Sequence, residues 1–587
     1  MSETLAERDS EAASLGEAEQ PQSADPAPKN SAGGPRWDAT RRRALATVFV
    51  VALLIAGTFH VAWPYLSGMN VSGPRTFYVA ADGKDSNEGT SPKKAWHSLS
   101  QADHHVFQPG ERLLLQGGAS FSGSLTFHRG EAGDPAKPVI VGSYGSGRAA
   151  IVGSGDPGVS VYDTAGIDIR DLIVIGGGPS SGAASGIALF SDLPNGPKLE
   201  HVSVSDVDVS GFRVGVSVGG GVVGAGFRDV RVTDSLLHDN GDSGLRSYGP
   251  PFDAAEPRYA NENLFISNVR AFANLGNALD HLHNTGSGID LGSVRGAVVE
   301  HSVAYGNGAN CDSREGPVGI WAYDSTGVVL QHNVAYDNHT GGLTDGGGFD
   351  LDQNVSDSVV QYNYSHDNDG PGYLLYTGKD NGAFARNVVR FNISRNDVRR
   401  PLNYASLVLA GRLTDISVYH NTVVLQGVGK QAPVVRFETG LQGVTLRDNI
   451  FESEGGRMIA SSDTFSAKQV TLQGNDYYVP GRARWVVAWG TKSFGSLQAW
   501  SARTGQEMAG PQPVGLDLNP DLVLVPAPGW DPTGTPVPTP RATSPIAGRS
   551  PDLRTRFAVD EGLVDYFGTP LGAFTTAGAA QPVAVTG

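Results

Sequence analysis

The segment Gly347-Gly348-Phe349-Asp350-Leu351-Asp352 places two carboxylates two residues apart. On a β-strand such residues share a face, with backbones about 6.7 Å apart. Clustered carboxylates raise one another's pKa, as a general acid working near neutrality needs. The acid and base of inverting glycoside hydrolysis stand about 6.5–9.5 Å apart, with room for a water between them. Asp350 and Asp352 are therefore the expected catalytic pair. Asp290, two strands away and about 9.6 Å off at the usual strand spacing, is the third candidate. The same acids could instead form a surface ladder or a Ca²⁺ site, since carboxylate oxygens are the ligands that cation takes.

These acids belong to a recurring pattern. The segments Gly186-Ile187-Ala188, Gly215-Val216-Ser217, Gly244-Leu245-Arg246, Gly288-Ile289-Asp290, Gly319-Ile320-Trp321, Gly348-Phe349-Asp350 and Gly372-Tyr373-Leu374 each carry an apolar residue after Gly. If that residue points inward, positions two and four after each Gly point outward. One outward row is then Ala188, Ser217, Arg246, Asp290, Trp321, Asp350 and Leu374. The other is Phe190, Gly219, Tyr248, Gly292, Tyr323, Asp352 and Tyr376. Tyr248, Trp321, Tyr323 and Tyr376 should line a groove in which flat aromatic faces meet the C–H faces of sugar rings. Arg246 is expected to meet a substrate hydroxyl or carboxylate, and the expected substrate is a polysaccharide. Gly244 and Gly288 lie 44 residues apart, so an insertion, Tyr248 to Asn263, should form a loop beside the rows. Asp280-His281-Leu282-His283 hints at a metal site, but no third ligand stands at a recognised spacing. A surface histidine pair is the expected reading.

The elements that carry these rows repeat. Asn333, Asn363, Asn392, Asn421 and Asn449 follow one another at 30, 29, 29 and 28 residues, each after a β-rich run. A fixed period of this size indicates a solenoid rather than a sandwich. A stacked asparagine tolerates the left-handed turn between strands, and its amide can bond the next along the stack. His332 and His420, just before two of these asparagines, are expected to be structural. The one modest helical stretch is Ser98 to Phe107.

The opening Phe77-Tyr78-Val79-Ala80-Ala81-Asp82-Gly83-Lys84-Asp85-Ser86-Asn87-Glu88-Gly89-Thr90, the later Pro109-Gly110-Glu111 and the coil pattern resemble the pectin-lyase-like proteins, as do Ser544-Pro545 and Asp565-Tyr566-Phe567-Gly568 near the end. That superfamily holds pectate lyases, polygalacturonases, alginate lyases and mannuronan epimerases. The resemblance covers about residues 75 to 480 and implies an all-β, right-handed parallel β-helix. Gly347 to Asp352 also looks like the catalytic strand of mannuronan C5-epimerases, with Asp350 at the family's catalytic aspartate. The family's tyrosine and histidine are replaced by Gly347 and Asp352. Lyase or epimerase chemistry would then need Tyr323 or His366 from neighbouring coils.

Composition limits the rest. A net charge of −16 over 587 residues excludes a nucleic-acid partner of the usual basic kind. The one cysteine, Cys311, permits no intrachain disulfide and is expected to be a small buried residue. Residues 1–43 are expected to be a disordered cytoplasmic tail ending in Arg41-Arg42-Arg43. Residues 44–66 should be a single transmembrane signal anchor, residues 67–480 the β-helix outside the cytoplasm, and residues 481–587 a carboxy-terminal segment with a Pro-rich stretch draped over the coils. The exported chain is expected to be a monomer.

Overall fold

The computed structural model describes residues 73–584 apart from 154, 180–184, 195, 379–380 and 573–575. The chain winds through three columns of short parallel strands. One column forms a 14-stranded sheet, parallel from Leu125–Phe127 to Val486–Trp489 and closed by the antiparallel strand Lys492–Phe494. The other two belong to a 25-stranded sheet, fused where Ile167–Ile175 and Leu199–Ser210 bend from one column into the next. Inward residues of all columns merge into one long apolar core. Each coil packs on its neighbours alone, which is how a chain this long avoids needing one large core. The coils run past the expected limit of residue 480, because Val486–Trp489 still pairs with Arg457–Ser461.

The asparagine ladder is present and longer than expected. Asn333, Asn363, Asn392, Asn421, Asn449 and Asn475 pass hydrogen bonds of 2.7–3.0 Å from Nδ2 to the next Oδ1, all buried. The left-handed backbone, however, belongs to the residue before each: His332, Tyr362, Phe391, His420 and Asp448 have φ between 48° and 56°. The bend falls there because the asparagine must turn its amide inward and along the axis. The bend residues stack as rings, His301–His332–Tyr362–Phe391–His420, at 5.0–5.5 Å. His332 and His420 are therefore structural, as expected. A second ladder, Asn240–Asn274–Asn307–Asn338–Asn368, ends on Asp397 at another corner.

Both ends of the core are covered. Near the start, the helix Leu99–Asp103, capped by the Ser98 hydroxyl, buries Leu99 and Ala102; it is the shorter form of the expected helical stretch. At the other end, the helix Leu497–Thr504 packs Trp500 edge-on against Trp489 and Tyr477. The Pro-rich segment lies over the ring column, where Trp530 meets His332 at 5.0 Å and Tyr566 at 5.3 Å. Tyr364 and Tyr419 donate to the Pro536 and Asp560 carbonyls. The expected anchor, residues 44–66, lies outside the described residues. Among the described residues no helix is long and apolar enough to cross a membrane.

Candidate active site

The 14-stranded sheet sets the outward rows in the expected register. Ala188, Ser217, Arg246, Asp290, Trp321, Asp350 and Leu374 are successive partners along one row. Phe349 and Leu351 point into the core while Asp350 points out. Outward does not mean exposed, because loops close over the middle of the rows. Asp290 retains 1% and Asp350 3% of its surface.

Asp350 and Asp352 form the electrostatic centre. Burial above all, then the Asp352 and Asp345 charges, raise the Asp350 carboxyl well above the usual carboxylate range. Its Oδ1 has no hydrogen-bond partner. Asp352 is half-buried and accepts from the Gln353 N–H at 2.6 Å. Burial pushes it up to about 7 against that hydrogen bond, and Asp345 and Glu315 add to the rise. Each carboxyl's charge disfavours ionisation of the other in a space that already disfavours charge.

Asp290 stands apart from this pair. Its Oδ2 accepts from Arg246 Nε at 2.6 Å. Arg246 also faces Asp242 at 3.6 Å and donates toward Asn284 at 3.3–3.4 Å. Burial opposes the Arg246 charge, but Asp290 and Asp242 outweigh it and hold the guanidinium charged. Asp290 is thus paired through one oxygen, while its Oδ1 has no hydrogen-bond partner and burial raises its carboxyl above the usual range despite Arg246. Arg246 is the centre of a closed charge network rather than an unpaired substrate clamp.

The aromatic expectations divide. Trp321 retains only 6% of its surface, donates from Nε1 to the Ser287 hydroxyl at 3.1 Å and stacks on Tyr323 at 5.1 Å. It is a wall of the site, not a wet platform. Tyr323 is half-buried, its hydroxyl held protonated by burial and then by the Asp290 charge. Tyr248 is half-buried with its ring over Gly219: a Cβ there would meet Tyr248 Cζ at 2.2 Å. Gly292 admits the Tyr323 ring in the same way. Tyr376 packs against a cluster of Leu374, Val398, Tyr404, Ala405 and Val408 beyond Asp350. His366 is not at the site. It sits in another column, stacked on Tyr336 at 4.9 Å and paired with Asp367 at 2.9 Å.

Loops supply what strand periodicity could not. Tyr404 donates to Asp345 at 2.8 Å and Asp345 accepts from the Gly316 N–H, tying three loops beside Asp350. Glu315 is raised by burial near His283 and Arg246. The insertion forms the loop 249–260, and it reaches as far along the coils as Gly382, where Ala254 and Phe252 are neighbours. His283 pairs with Asp280 at 3.1 Å, and His281 bonds the Asp312 carbonyl. Cys311 is buried. Among the described residues no three His, Cys, Asp or Glu side chains form a group that could hold a metal ion.

Residues 200–423 match the family model of the right handed beta helix region. A lacto-N-biosidase of Bifidobacterium longum subsp. longum is 27% identical over 145 residues, which are 24% of this chain and 8% of that protein's length. The solved GH136 lacto-N-biosidase from Eubacterium ramulus aligns over 67% of this chain and 70% of its own, at 19% identity and a TM-score of 0.48. A pectate lyase aligns over 87% of this chain and 98% of its own, at 17% identity and a TM-score of 0.39. The matched stretch 200–423 contains every candidate site residue. By repeat and strand register the described chain is a parallel β-solenoid, and its central part, residues 200–423, matches the right handed beta helix region.

Proposed function

We propose that this protein is a carbohydrate-active enzyme that hydrolyses glycosidic bonds with Asp350 and Asp352 as its acid/base pair. The observation that carries the reading is a buried and a half-buried carboxyl two residues apart on one face, both raised, Asp352 to about 7 and Asp350 with an unpartnered oxygen. One member protonates the leaving oxygen while the other, ionised, activates water. Trp321 and Tyr323 wall the pair, and the Arg246–Asp290–Asp242 network fixes the neighbouring floor. The stretch similar to a lacto-N-biosidase supports a glycosidase. A lyase or epimerase reading loses its histidine, since His366 sits in another column.

The test is kinetic. Asp350→Asn and Asp352→Asn should each lower turnover on a cleaved glycan by about two or more orders of magnitude, and Asp290→Asn should do so only through loss of stability. The acid variant should keep activity on glycosides with good leaving groups, and the base variant should be rescued by azide. A panel of neutral, N-acetylated and uronic glycans that yields no cleavage would overturn the reading in favour of a glycan-binding scaffold.

Arg41-Arg42-Arg43 before the uncharged run Ala44 to Leu66 supports a second proposal, that the β-helix is anchored outside the cytoplasm. Protease added to intact cells should remove the β-helix and spare the amino terminus. Release of the whole exported portion into the medium would contradict anchoring.

A further inference from the structure

The second outward row does not stop at the acids. Tyr162, Phe190, Gly219 and Tyr248 are successive partners in it, and Gly292, Tyr323 and Asp352 continue it. From Tyr162 to Asp352 the row spans six strand steps, about 29 Å at the usual spacing.

The rings lie in a particular way. Tyr162 and Phe190 are 6.0 Å apart at 16°, and Phe190 and Tyr248 are 6.5 Å apart at 24°. These separations exceed close face-to-face contact, so the rings overlap like tiles. Glycines make the space. A Cβ at Gly219 would strike Tyr248, and one at Gly221 would meet the Phe190 ring at 2.7 Å. All three rings stay half-buried. Tyr162 also donates to the Asp192 carboxylate at 2.8 Å, which puts a polar rim beside an apolar face.

The other direction is built differently. Past Asp350 the first-row residues Leu374 and Val408 are buried with Tyr404, Ala405 and Val398, and the second row offers one half-buried ring, Tyr376, before the buried Ala410. A long ligand seated at the acids meets its run of several half-buried rings on the amino-terminal side.

We infer that Tyr162, Phe190 and Tyr248 form a binding track for further sugar units of an extended glycan, continuous with the acid pair and running toward the amino terminus. Flat half-open rings, with the Asp192 carboxylate at the rim of Tyr162, suit the alternating C–H faces and hydroxyls of a sugar chain. The inference rests on the glycosidase reading and adds to it that the ligand is a chain of several sugars.

The test uses Asp350→Asn, which binds without cleaving, titrated calorimetrically with oligosaccharides of two to eight sugars from neutral, N-acetylated and uronic series. Affinity should climb with length. Phe190→Ala in that background should weaken the longest ligand about five- to tenfold, the equivalent of one lost ring contact, and a disaccharide less than twofold. Gly219→Ala, which displaces the Tyr248 ring, should act in the same direction. If Phe190→Ala misfolds, the solvent-facing Tyr162→Ala gives the same comparison. Length-independent affinity, with a short glycoside still cleaved by the native chain and spared by Asp350→Asn, would overturn the track and leave the glycosidase reading standing. No binding and no cleavage of any series would overturn both.

Discussion

Asp350 is held where little answers its charge: 3% of its surface is open, one oxygen is unpartnered, and its nearest charged neighbours are acids. A carboxyl whose pKa is raised by folding takes up a proton on folding. Its stabilising protonated form is present at low pH and is lost as pH rises through the folded value, about 7 for Asp352. Asp350→Asn should therefore stabilise the fold by about 1–3 kcal/mol at pH 8, the cost of one unanswered buried polar group, and by little at pH 3, below the unfolded value. Calorimetry at the two pH values checks this; a lower Tm at both would mean that Asp350 is a structural ligand. The register of this acid pair was legible because strand alternation leaves no freedom once inward residues are known. The Arg246–Asp290 pair was not, since both stand in the outward row and only the reach of the guanidinium decides that they join. His366 misled because closeness in sequence to Asp350 hides the corner between their columns.

At the scale of the element, the ladders and one lysine hold the coils that present the site. Asn363 donates to the Leu330 carbonyl and to Asn392, and accepts from the Asn333 backbone and side chain. Asn363→Ala leaves several buried groups unpaired at once and should cost roughly 3–5 kcal/mol, readable in chemical denaturation. A loss below about 1 kcal/mol would show that water replaces the amide. This ladder was visible in the sequence because its spacings are nearly constant. The second, at Asn240, Asn274, Asn307, Asn338 and Asn368, was missed although its intervals of 34, 33, 31 and 30 residues are nearly as regular. Lys198 is a further device that no period announces. Its ammonium reaches the carbonyls of Gly224, Ala225, Tyr259 and Ala260 at 2.9–3.1 Å. It thereby pins the foot of the loop 249–260 that runs beside the site. Lys198→Met keeps the stem and strands the carbonyls, so limited proteolysis near Arg258 should quicken while the coils remain folded. An unchanged cleavage rate would mean that the loop is held elsewhere.

Across the described coils, the solenoid provides one continuous sheet on which acids, aromatic rings and closing loops follow one another at strand spacing. The carboxy-terminal segment covers a different corner, on the ring column of His332 and Tyr362, and leaves that face to the site loops. The division explains why fold and row could be read from the chain while enclosure could not: repeats are local, but the loops that bury Asp350 come from separate coils. Whether Asp350 and Asp352 hydrolyse a glycosidic bond is read from the products of a digested glycan, followed together for new reducing ends and for ultraviolet absorbance of unsaturated uronates. Reducing ends without unsaturation, abolished in Asp350→Asn, are expected; unsaturated products, or cleavage that survives Asp350→Asn, would overturn the hydrolase reading.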